Sequence, residues 1–178
     1  MKSAASRRVL YITETAVMTA LLIVVQAVTK PAGQYVTGTC VNAVLAVSVL
    51  AVGLWSGITV ALLSPFFAFL LGIGPQLFPI TPSIAVGNLV FVLLQCLLAG
   101  GKDRPAWRRL AAWVTAAAAK FAVLYVLVVK ILCTVLALPA AQTAAFTVMF
   151  SYPQLVTALA GGGIALLIAP VLRRALKK

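Results

Sequence analysis

Long apolar runs alternate along the chain with short polar interruptions, and the interruptions are chemically sharp. Runs at about 9–29, 38–55, 57–73, 83–99, 110–137 and 151–170 approach the roughly 20 apolar residues that a helix rising about 1.5 Å per residue needs to cross a hydrocarbon core of about 30 Å. Pro31 and Gly33 stop the first run, and "WSG" at 55–57 predicts a tight turn. "GPQLFPITP" at 74–82 carries three prolines that cannot donate helical hydrogen bonds, and "GGKDRPAWRR" at 100–109 reads as a charged loop. A spanning helix satisfies its own backbone in lipid, and the sequence lacks the short alternating segments of a membrane β-barrel. The pattern therefore predicts an all-α integral membrane protein, with one domain over residues 1–178 formed by a single bundle of six transmembrane helices.

Composition agrees with the pattern. Of 178 residues, 63% are hydrophobic and 9% charged, more apolar surface than one soluble core of this length hides. The net charge of +12 could suggest nucleic acid, but the basic residues sit between apolar runs, where lipid topology accounts for them. Lys2, Arg7, Arg8, Lys102, Arg104, Arg108, Arg109, Arg173, Arg174, Lys177 and Lys178 fall on one side of the six-span arrangement, eleven of the fourteen cations. The loops of the other side, at about 30–37, 74–82 and 138–150, contribute Lys30 alone. By the excess of Lys and Arg in cytoplasmic loops, both termini are expected in the cytoplasm. The basic, then apolar, N-terminus resembles a signal peptide, but no small-x-small cleavage site follows, and it is read as the first membrane helix.

Chemistry is scarce. Two acidic residues, no histidine and no phosphate-cradling glycine loop leave little for acid–base catalysis or nucleotide hydrolysis. Cys40, Cys96 and Cys133 lie in apolar segments without metal-ligand spacing, so neither a metal nor a disulfide framework is expected. The chain is read as no enzyme and as needing no cofactor. A proton-coupled pump of the carboxylate-relay kind is disfavoured too, so uphill transport would draw its energy from a partner.

The remaining polar residues sort by depth. Gln26, Asn42, Asn88, Lys130, Tyr152 and Gln154 fall on the outer third of their spans, with Asn88 about 9 Å and Lys130 about 11–12 Å below the outer ends. Single polar residues in membrane helices commonly bond a neighbouring helix, at around 0.6 kcal/mol each. Five spans contributing to one level point instead to a small-ligand site, which uses a few convergent polar groups in an apolar cavity. Tyr35 and Trp55 are weaker candidates, since interfacial belts use the same residue types.

An ammonium in hydrocarbon needs a counter-charge, carbonyls or a path to the interface. Glu14 is the one acid within the spans, about 9 Å in, and Lys120 starts about 15 Å in and can snorkel back, so depth predicts a Glu14–Lys120 ion pair. Lys130 then has no protein acid. Either it snorkels outward, or it receives the anionic group of a ligand; with Asn88 it points towards a solute bearing an anion.

Ala16 and Ala20 stack on one helix face and let another backbone come close. With six spans in about 180 residues, both ends inside and no ATP-handling motif, this strip resembles the substrate-binding S components of energy-coupling factor (ECF) transporters. "ETAVMTALLIVVQAV" is similar to that family's first helix, and "LAVGLWSGITVALLSPFFAFLL" with "NLVFVLL" resembles its second to fourth spans. The resemblance implies a vitamin-binding subunit of a bacterial-type cell membrane. Such a subunit docks through Ala16 and Ala20 on a transmembrane T component driven by two cytoplasmic ATPases, and topples to present its solute inside. It also implies that the outer ends of spans four to six and the loops at 30–37, 74–82 and 138–150 enclose the solute. Glu14 would serve either Lys120 or the partner. A self-sufficient small-solute transporter or channel is the competing reading.

Overall fold

The computed structural model of the chain describes residues 4–99 and 105–176, and every regular element among them is a helix. Lys2, Lys102, Arg104, Lys177 and Lys178, with residues 100–104 of the expected 100–109 loop, lie outside the described residues, and the rest of that loop from Ala106 on is already helical. In chain order the α-helices are α1 Ala4–Thr29, α2 Gly33–Val47, α3 Leu54–Leu70, α4 Ile80–Ala99, α5 Ala106–Leu124, α6 Cys133–Val135, α7 Ala140–Met149 and α8 Tyr152–Ala175. Four continuous helical runs are long and apolar enough to cross a membrane: Ala4–Val52, Ile80–Ala99, Trp107–Val135 and Ala140–Ala175. Leu54–Leu70 is apolar but shorter. Large apolar side chains face outward, Leu70 at 76% and Leu167 at 77% exposure, as an oily solvent requires.

Several boundaries differ from those the sequence predicts. After α2 the chain winds as a π-helical turn over Ser48–Val52 and breaks at Gly53, whose φ of 145° a side chain would resist. Trp55, Ser56 and Gly57 thus belong to the first turn of α3, not to the turn before it. The Ser56 N–H, one of the donors a helix start leaves unpaired, is taken by the Tyr11 hydroxyl at 2.7 Å. The segment expected as an open loop at 138–150 is mostly α7, because Pro139 is tolerated just ahead of a helix and "AAQTAAFTVM" holds good helix formers. Beyond Leu124 the α5 run widens into a π-helical stretch, Tyr125–Leu132, before α6.

Packing depends on small residues. The broadest seam joins α2 to α8, where a Cβ placed on Gly161 would sit 2.7 Å from the Ala43 nitrogen, so the two backbones meet only because Gly161 has none. α1 lies against α2 and α3, α4 between α3 and α5, and α5 against α4 and α8. Two buried apolar clusters result. A large one is centred on Leu22, Leu45, Val60 and Phe91; a smaller one holds Ile80, Leu124, Val128 and Phe150.

The arginines among the described residues gather at one end. Arg173 donates through Nε to the Leu50 carbonyl and shares a crevice with Arg109, Leu50 and Ala99, while Tyr11 reaches the α2–α3 turn. The start of α1 and the end of α8 therefore sit at the same end of the bundle. At the opposite end Lys30 donates to the Leu71 carbonyl at 2.7 Å, tying the α1–α2 turn to the end of α3.

Candidate functional site

A cavity of about 380 Å³ occupies the Lys30 end, within the range that small-molecule sites use. Its walls bring Gln26 of α1, Asn42 of α2, Ser64 of α3, Asn88 of α4, Lys120 of α5 and Gln154 of α8 to one space. The α1–α2 turn, residues 72–75 and the Met149–Phe150 junction form its rim. Gln34 donates to the Met149 carbonyl at 2.7 Å, so that rim is cross-linked.

The geometry at its core begins with a proline inside a helix. Pro65 has no N–H to offer the carbonyl four residues earlier, that of Ala61. The Asn88 amide nitrogen donates to this Ala61 carbonyl at 3.4 Å. With its NH₂ engaged there, Asn88 turns its Oδ1 to the Lys120 ammonium, 2.7 Å away. Asn42 does the same from the other side: its NH₂ donates to the Thr157 hydroxyl at 3.3 Å and its Oδ1 accepts from Lys120 at 2.5 Å. The Phe91 ring lies 5.5 Å from the ammonium and adds a cation–π contact. Lys120 is 3% exposed, and among the described residues no carboxylate reaches it. On α1, Gln26 donates to the carbonyl and the hydroxyl of Ser64 at 3.0 and 3.2 Å, while its own Oε1 is buried without a hydrogen-bond partner among the described residues.

Of the residues the sequence singles out, Gln26, Asn42, Asn88 and Gln154 line this cavity. Tyr152 does not: it is 60% exposed, its ring 6.5 Å from that of Tyr35 on the outer surface. Lys130 is also outside, exposed, with its ammonium 5.7 Å from the Tyr125 ring. Ten residues at 3.6 per turn already set Lys120 and Lys130 about 80° apart, and the wider winding beyond Leu124 opens that angle further. The expected Glu14–Lys120 ion pair is corrected as well. Lys120 lies at the level of Gln26 in the cavity wall, whereas Glu14 is twelve residues, about 18 Å, from Gln26 along α1, and α1 packs on α2 and α3 while α5 packs on α4 and α8. Glu14 is buried in line with Met18, Leu22 and Gln26 on the inward face of α1. Ala16 and Ala20 lie on its exposed face.

The residue that sequence reasoning misplaced is Lys120, and a signal for it exists. Ala112, Ala116, Lys120, Leu124 and Val128 recur every fourth residue and are all buried, so Lys120 sits in the packing stripe of its helix and Lys130 does not.

A family model described as "ECF transporter, substrate-specific component" matches residues 10–173. Comparison with curated proteins and with solved structures returned no match.

Proposed function

The chain belongs to the family of substrate-specific components of ECF transporters, and from that premise we propose that it captures a small water-soluble, vitamin-like solute in the cavity at its Lys30 end and passes it to an energised partner. In this reading six helices span a bacterial-type cell membrane, with both termini and the arginine-rich end in the cytoplasm and the cavity towards the outside. The chain provides recognition. A transmembrane T component with two cytoplasmic ATPases provides the work, and Ala16 with Ala20 forms the surface that meets it.

The observation that carries the reading is the cavity itself: polar side chains from α1, α2, α3, α4, α5 and α8 converge in a protein whose helices expose many large apolar side chains. A spanning bundle does not bury Gln26, Asn42, Asn88 and Lys120 together for stability alone, because each polar group carries a desolvation cost. The alanine face supports the second half, since it is exposed and carries nothing larger than a methyl group at the two positions.

Affinity purification of the tagged chain from membranes that also hold a T component and its ATPases tests the proposal. The unaltered chain is expected to retain them, and an Ala16→Trp/Ala20→Trp variant to lose them while keeping the same unfolding midpoint. Retention by the double variant removes the docking assignment. Uptake into liposomes by the chain alone, without ATPase, would replace the proposal with a self-sufficient transporter.

A further inference from the structure

Lys120 lines the cavity, and no carboxylate among the described residues pairs with it. We infer that its solute carries an anionic group, a carboxylate or an acid of similar size, that docks on the Lys120 ammonium between Asn42 and Asn88. The inference rests on the cavity being the solute site, and it goes beyond that reading by naming the chemistry the site selects.

An ammonium has three N–H donors. Asn42 and Asn88 take two of them through their amide oxygens, which leaves one N–H without an acceptor among the described residues, on a residue that lines the cavity. Both amides are held in this sense by their own donors, Asn42 on Thr157 and Asn88 on the carbonyl that Pro65 leaves open. They accordingly present oxygen, not NH₂, to the cation. The cage is built to keep a positive charge, and neutral amide oxygens do not cancel it. In a low-dielectric interior an uncancelled charge is costly, and a solute anion at hydrogen-bond distance supplies the missing partner.

A second wall residue limits the solute independently. Gln26 is 2% exposed, its NH₂ is committed to Ser64, and its Oε1 has no partner among the described residues. A buried acceptor of this kind is matched by an N–H or O–H on the bound molecule. The cavity thus reads as a receptor for a small molecule with an anionic group and a neutral hydrogen-bond donor. A volume of about 380 Å³ keeps that molecule small.

The test uses the full chain in dodecyl maltoside and two probes of one shape, butyrate and butyramide, at matched ionic strength. Apparent Kd values follow from the rise of the unfolding midpoint with probe concentration. Butyrate is expected to bind about tenfold more tightly than butyramide, the scale of one hydrogen bond to a charged group. In Lys120→Met that preference should vanish. Equal binding of the two probes, no binding of butyrate, or an unchanged preference in Lys120→Met each overturns the inference. The acid–amide comparison needs only the unaltered chain, so it decides the matter even if the variant does not fold. Failure here with ATPases and T component still copurifying leaves the transporter-subunit reading standing, whereas loss of those partners strikes that reading instead.

Discussion

Asn88 holds two things at once, and replacing it by leucine, which keeps the branching and removes the polar atoms, should expose both. Asn88→Leu takes one amide oxygen from the Lys120 ammonium and leaves the Ala61 carbonyl without the donor that stands in for the missing Pro65 N–H. A hydrogen bond to a charged group is worth about 1.5–3 kcal/mol in water-soluble proteins. Cycles in membrane helices run lower, about 0.6 on average and 1.7 at most, so about 1 kcal/mol is a fair figure for the Lys120 bond. The orphaned carbonyl adds roughly 1 kcal/mol, giving a loss near 2 kcal/mol for the single variant. In a Lys120→Met background only the carbonyl part remains, so the two substitutions should couple by about 1 kcal/mol. Unfolding in dodecyl maltoside micelles titrated with SDS, followed by far-UV circular dichroism, measures all four corners of the cycle. A coupling below about 0.5 kcal/mol, the usual additivity error, would refute the claim that Asn88 acts through Lys120.

Three further outcomes follow from the packing and the rim. Gly161→Val forces a side chain into the Thr39 and Ala43 backbone and should cost about 1–3 kcal/mol in the same SDS titration. Lys130→Met, at an exposed site away from the cavity, should leave solute occupancy in native mass spectrometry unchanged within about twofold. Lys30→Met frees the Leu71 carbonyl, and amide exchange at Gly72 and Ile73, which bond to the Phe69 and Ala68 carbonyls, should quicken about fivefold.

What the sequence disclosed and what it concealed have separable causes. Apolar run length announced an all-helical membrane protein, because lipid thickness acts on each run alone, but not the six separate spans: among the described residues four helical runs are long enough to cross, and Ala4–Val52 joins the first two expected spans. Depth counting brought Gln26, Asn42, Asn88 and Gln154 to one level, and all four line the cavity. Rotation about each helix axis was the missing quantity. Lys120 and Lys130 are equally charged and equally improbable in lipid, and what separates them is the four-residue burial stripe that includes one and the π-helical winding that turns the other away. The Glu14–Lys120 pairing failed because Lys120 does not snorkel back towards Glu14: its ammonium turns to Asn42 and Asn88 at the cavity. Pro65 could be read as a helix irregularity, but that Asn88 would claim its freed carbonyl depends on where α4 packs.

If Ala16 and Ala20 form the docking surface as proposed, the two faces of α1 set the distance over which recognition and docking would communicate. Gln26 looks into the cavity from the inward face, and Ala16 with Ala20 occupies the outward one. Along the axis, the midpoint of the alanine pair is eight residues, about 12 Å, from Gln26, and across it the separation is one helix thickness. A message from solute to partner would need no relay through the bundle: a roll or shift of this single rod moves both surfaces together, so α1 would act as a mechanical shaft between recognition and work.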